Sequence, residues 1–221
     1  MNEAQVHALR LLAEGYDYGR GSLHAHKVAD LATSIFDQLR NCGLLPGFTI
    51  DDRRTLAAMG YAHEIGASPQ AQQETSGLPD PALTVNGGLD RNGETTFLSL
   101  RARLNEASSD PGLTSLAPED RSALLYCLLW CATSTACVLD IEPLIDRRKT
   151  LLLAGILRVA DGLDYRLRLR VREVKVQRAS AWLRFLVRSV APATEEVARA
   201  QDRSEMLSQA LSLRIFVQEV I

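Results

Sequence analysis

After Asp164 the hydrophobic period of the chain changes, and that change limits the possible folds more than any other feature. Up to that point the apolar residues recur at helical spacing. Val28, Leu31, Ile35 and Leu39 make one stripe, and Leu153, Ile156, Leu157 and Ala160 another. In YRLRLRVREVKVQR, by contrast, Arg166, Arg168, Arg170 and Arg172 alternate with Leu167, Leu169 and Val171, the period of a strand. The apolar phase then slips to Val174 and Val176, which predicts either a bulge near Glu173 or the point where helix gives way to strand. WLRFLVRSV predicts a second strand after a short turn at Ala179 and Ser180, giving a hairpin. Thr194 then caps an amphipathic helix to about Ser212, and RIFVQEV closes the chain as a strand. The expected fold class is therefore mainly α: a helical body over residues 1–165 and a small C-terminal α+β cap, strand-strand-helix-strand, over residues 166–221.

Within the body, residues 3–14 predict a helix with Val6, Leu9 and Ala13 on one side. Ser22 is a candidate N-cap for a second helix over 23–41, and Thr49 with Asp52 resembles a capping box for a third that runs through Leu56 and Met59 to His63. Helical character returns at 97–107 and 118–133, and Asp146 or Thr150 starts the helix that ends near Asp164. Residues 67–95, rich in Pro, Gly, Gln and Asn, read as a flexible insertion, either a lid or an exposed segment with no role. Cys127 and Cys131 lie four apart with no fourth soft ligand at zinc spacing, so buried inert thiols are expected. No run approaches a membrane span and the start is too polar for a secretory signal, so a cytoplasmic, non-membrane protein is expected. A formal net charge of -2 argues against nucleic acid as the main partner, although a local basic patch is compatible with it.

Helix phase singles out four residues. One turn before Val28 lies His24, on the core side, while His26 is rotated about 200° away. His63 is seven residues after Leu56 and shares its face; Glu64 follows it directly; Asp161 is one turn after Leu157. Two imidazoles and two carboxylates from three helices suit one divalent metal, Mn, Mg, Fe or Zn, with positions left for water and a phosphate oxygen, and they require no organic cofactor. His24, His63, Glu64 and Asp161 are thus the expected metal ligands, with His63 and Glu64 central to catalysis. Arg158, Arg166, Arg168 and Arg170 are candidates for binding phosphate, because a guanidinium pairs with it bidentately. The alternative for the arginine row is a solvated strand edge, and for Asp161 a pairing with Arg158.

The order His24, then His63-Glu64, then Asp161 resembles that of the HD superfamily of metal-dependent phosphohydrolases. More closely, HAHKVADLATSIFDQL, YAHEIG and GILRVADGLD, followed by strand, strand, helix and strand, are similar to the C-terminal half of the exopolyphosphatase and guanosine pentaphosphate phosphohydrolase family. The likeness runs from Val6 to Val220. It implies an HD-like helical body and a metal-dependent phosphohydrolase acting on, or binding, a phosphorylated small molecule or polyphosphate. A non-catalytic ligand-binding or dimerisation module, with homodimers as the assembly, is the other implication. Family members join this half to an actin-like half that carries the polyphosphatase site. The present sequence reads as the C-terminal half standing alone, so that activity is not implied. TTFLSLRA and LLYCLLWCATS lack the family's later histidines, which implies one metal rather than two, and Glu64, where an Asp is usual, keeps the charge on an arm one methylene longer.

Overall fold

The computed structural model describes residues 1–15, 23–63, 120–121, 123–124 and 146–220. Among them are six helices and a three-stranded mixed sheet: a mainly helical body followed by a small C-terminal sheet with its own helices. The helices of the body are α1 (Glu3–Gly15), α2 (Leu23–Asn41), α3 (Ile50–Ala62) and α4 (Arg147–Gly162). Strands β1 (Val171–Arg178) and β2 (Trp182–Ser189), helices α5 (Thr194–Arg203) and α6 (Glu205–Leu211), and strand β3 (Arg214–Val220) complete the chain. Asp120, Arg121, Ala123 and Leu124, within the helix expected over 118–133, are helical, and Leu124 is buried. Ser22, Glu64, Cys127, Cys131, the 67–95 insertion and the helix expected over 97–107 lie outside the described residues.

The stripe expected on α2 is buried, together with Phe36, and meets Leu56 and Met59 of α3 and Leu153, Ile156 and Leu157 of α4. Each such fully buried side chain contributes roughly 1.5–3 kcal/mol relative to an exposed one. The capping box forms: Thr49 Oγ1 accepts from the Asp52 N–H, and Asp52 accepts from the Thr49 N–H. Asp146 caps α4 through the Lys149 N–H, and Lys149 reaches back to Asp52 at 3.0 Å, which ties the starts of α3 and α4 together. Helices α2 and α3 touch at Gly60, where an added Cβ would lie 2.6 Å from the Ala29 Cα. Helix α5 rests on the end of α4 at Gly162 in the same way, with 2.8 Å to the Ala200 Cα.

β1 and β2 pair antiparallel, and the register shifts between Val171 and Glu173, so the phase slip in the sequence is a bulge. β2 and β3 pair parallel, which requires the crossover that α5 and α6 supply. The inner face carries Val174, Leu183, Phe185, Val187 and Ile215 into a buried cluster continuous with that of the helices. Both edges are closed by a glutamine. Gln38 of α2 donates to the Val174 carbonyl at 2.7 Å and accepts from the Val176 N–H at 2.8 Å. Gln201 of α5 donates to the Ile215 carbonyl at 3.0 Å and accepts from the Val217 N–H at 2.8 Å. Each carboxamide takes the place of a neighbouring strand and blunts an edge open to pairing.

Three expectations are corrected. Residues 166–170 are not strand: β1 starts at Val171, and Leu167 and Leu169 have φ of 56° and 53°. The apolar-basic alternation there follows left-handed turns held by Asp164, whose Oδ1 accepts from the Leu169 N–H at 2.8 Å and whose carbonyl accepts from the Leu167 N–H. The N-cap of α5 is Ala193 rather than Thr194, because Ala193 is buried and its N–H is held by Glu219 of β3. The helix expected to reach Ser212 divides at buried Ser204, whose hydroxyl donates to the Gln201 carbonyl.

Candidate metal centre

His24 stands at the start of α2, His63 at the C-cap of α3 and Asp161 in the last turn of α4. The contact of Gly60 with Ala29 lets α3 approach α2 closely enough to bring the imidazoles together, with ring centroids 5.0 Å apart. Their side chains are 7% and 6% exposed, and that of Asp161 is 19% exposed. The two Nε2 atoms are 3.1 Å apart, and each lies 3.6 Å from Asp161 Oδ1.

The other ring nitrogens assign the protons. His63 Nδ1 lies 2.6 Å from the Gly60 carbonyl, which can only accept, so Nδ1 carries hydrogen. His24 Nδ1 lies 2.8 Å from Asp164 Oδ2. Asp164 is 1% exposed, and its second oxygen takes the Leu169 N–H, so both of its oxygens are acceptors and His24 Nδ1 donates. In their neutral forms both imidazoles therefore turn a bare Nε2 toward Asp161 Oδ1. Three acceptors so placed repel one another unless a proton or a metal cation lies among them.

The spacing suits a metal ion. A circle through three atoms with edges of 3.1, 3.6 and 3.6 Å has a radius of about 2.0 Å, close to a Zn–N bond. His24, His63 and Asp161 would hold such an ion through two nitrogens and one oxygen, and the ion would supply Lewis-acid chemistry there. The outer hydrogen bonds to Asp164 and the Gly60 carbonyl are of the kind that orient metal-binding histidines. His24, His63 and Asp161 thus form a candidate site for one divalent metal ion.

No protein-family model and no curated protein matches the chain. The resemblance drawn from the sequence therefore stands on its motifs alone.

Of the four expected ligands, three converge, and Glu64 lies outside the described residues. His26 points elsewhere, with its ring edge-on to Tyr61 at 5.1 Å. Burial, reinforced by Asp30, holds the Tyr61 phenol above its ordinary pKa. Asp161 is paired with Arg203 of α5 through Oδ2 rather than with Arg158. Arg158 is a buried residue of α4 at 7% exposure. Arg166 is ion-paired with Glu195, Arg170 donates to the Pro192 carbonyl at 2.7 Å, and Arg168 is exposed. The arginines do not share one strand face, because residues 166–170 form turns.

Asp164 and Arg203 are the site residues that the sequence reading missed. Asp164 was within reach, since it lies three residues after Asp161, the spacing that places two side chains on one side of a helix end. Arg203 carried no such signal; it arrives through the packing of α5 on Gly162. Among the described residues, no helix is long and apolar enough to cross a membrane.

Proposed function

We propose that the protein is a divalent-metal phosphohydrolase of HD type acting on a phosphorylated small molecule or polyphosphate. The observation that carries this reading is the convergence of three acceptor atoms on a circle of metal-bond radius, with both imidazole tautomers fixed from behind. Two nitrogens and an oxygen favour Mn, Fe or Zn over Mg, which prefers oxygen ligands and retained waters. Such an ion, when bound, lowers the pKa of a coordinated water and neutralises charge on a phosphoryl oxygen. In this reading Glu64, next to His63, supplies a fourth ligand. Arg203, already at Asp161, is the guanidinium proposed to meet the phosphate, with Arg158 and Arg168 as further candidates; Arg166 and Arg170 would first have to leave Glu195 and the Pro192 carbonyl.

A second reading, a module that binds a phosphorylated ligand or dimerises without turnover, has one observation in its favour. Arg203 occupies Asp161 Oδ2, which leaves a single oxygen of that carboxylate facing the imidazoles. Metal analysis of the purified protein beside its His63→Ala variant tests the site itself. About one equivalent of metal in the wild type and a loss of at least tenfold in affinity in the variant are expected; equal metal content in the two overturns the first reading and leaves the second. A panel of phosphoesters, nucleotides and polyphosphate with Mn or Zn then separates turnover from binding.

A further inference from the structure

The sheet has a second face, turned away from the core. Its residues follow from the register in four cross-strand rows. Trp182 lies beside Arg214; Gln177, Arg184 and Phe216 form the next row; Lys175, Leu186 and Gln218 the third; Glu173, Arg188 and Val220 the fourth. Trp182 and Phe216 are therefore diagonal neighbours, each flanked by an arginine on the adjacent strand. Phe216 is 47% exposed, and the Arg184 guanidinium lies 4.9 Å from the centre of the Trp182 ring.

The charge on this face is one-sided. Arg188 pairs with Glu173 at 3.1 Å, while Lys175, Arg184 and Arg214 have no carboxylate partner among the described residues. A chain of net charge -2 thus carries three uncompensated cations on one small surface, interleaved with two aromatic rings. Addition of another strand does not explain it, because Gln38 and Gln201 occupy the sheet edges. A protein partner would use the rings and arginines as well, but three cations with no carboxylate partner among the described residues favour a polyanion. What matches is a polyanion with flat faces: phosphates for the cations, bases for the rings.

We infer that the outer face of this sheet, built on Trp182, Arg184, Arg214, Phe216 and Lys175, binds single-stranded polynucleotide. Bases stack on Trp182 and Phe216, and the arginines and Lys175 follow the phosphates. The contact is tolerant of sequence, because every base offers a π-face. It is separate from the metal centre and independent of bound metal.

Fluorescence anisotropy of labelled dT15 and rU15 on the full chain, in EDTA, tests the inference, and the two probes distinguish DNA from RNA as the natural source. Saturable binding of either probe is expected, weakening with salt in proportion to the phosphates contacted, at about 0.7 of a log unit per phosphate. Phe216→Ser, at an exposed position, and Trp182→Ala are each expected to weaken binding about tenfold, and Trp182→Phe to restore most of it. Arg184→Glu with Arg214→Glu is expected to abolish binding and flatten the salt dependence. No binding of either probe overturns the inference. Unchanged binding in Phe216→Ser, with polyphosphate competing as well as dT15, also overturns it, because charge alone would then account for the contact.

Discussion

Replacing Asp164 by asparagine changes one atom of a buried side chain and should reverse the tautomer of a histidine. Both Asp164 oxygens accept, Oδ2 from His24 Nδ1 and Oδ1 from the Leu169 N–H, each at 2.8 Å. An asparagine has one accepting oxygen and one donating nitrogen. With its oxygen kept on Leu169, its NH2 group faces His24 Nδ1, which must then accept, and the hydrogen moves to Nε2. That hydrogen points at His63 Nε2, 3.1 Å away, and converts the paired lone pairs into a hydrogen bond. His24 is then lost as a ligand. Loss of a residue that orients a metal-binding histidine weakens metal affinity by about 10- to 100-fold, or about 1.4–2.8 kcal/mol. At a metal concentration 100 times the wild-type Kd, binding stabilises the fold by about 2.7 kcal/mol, which for a chain of this size raises Tm by about 5–11 °C. In Asp164→Asn the same concentration should give about 0.4–1.4 kcal/mol, an increment of about 1–6 °C. Calorimetric titration with Mn or Zn, and melting curves with and without metal, measure both quantities. An Asp164→Asn protein that folds and binds metal with wild-type affinity would refute the tautomer argument, and with it the view that Nε2 of His24 is a ligand.

Gly60→Ala places a Cβ 2.6 Å from the Ala29 Cα, so α3 must move away from α2 and carry His63 with it. A loss of about 1–3 kcal/mol in urea unfolding is expected together with weakened metal binding, and wild-type values for both would contradict the close-contact reading. Gln201→Met removes the two hydrogen bonds that close the β3 edge at Ile215 and Val217. It should cost about 1–3 kcal/mol and make the protein associate with rising concentration in light scattering, whereas a monodisperse variant of wild-type stability would show that the edge needs no such cover.

Much of the site was legible because it lies on regular helices. The phase of Val28, Leu31, Ile35 and Leu39 fixes where His24 must point, and the same count from Leu56 and Leu157 brings His63 and Asp161 inward, as found. Helical period is a strong signal because each buried position restates it. The arginine row failed for the opposite reason. Leu167 and Leu169 alternate with arginines as strand residues would, yet their spacing comes from two positive-φ turns, which leave no periodic trace. Alternation over five residues does not separate these cases; the fixed point is Asp164, a buried carboxylate that accepts the Leu169 N–H and so sets the turn.

The same chain geometry explains how the two halves of the fold depend on one another. α5 carries Gln201 and Arg203 two residues apart, which on a helix directs them about 200° from each other. Gln201 closes the edge of β3, while Arg203 holds Asp161 Oδ2 and leaves Oδ1 toward the imidazoles. Both contacts require α5 to sit close against the end of α4, and Gly162, with no Cβ to meet the Ala200 backbone, permits that approach. The orientation of the Asp161 carboxylate is therefore set from the crossover helix of the sheet rather than from the body that supplies the ligands. A displacement of α5 that freed the β3 edge would also release Asp161, so order in the small sheet and order at the metal centre are properties of one packed unit.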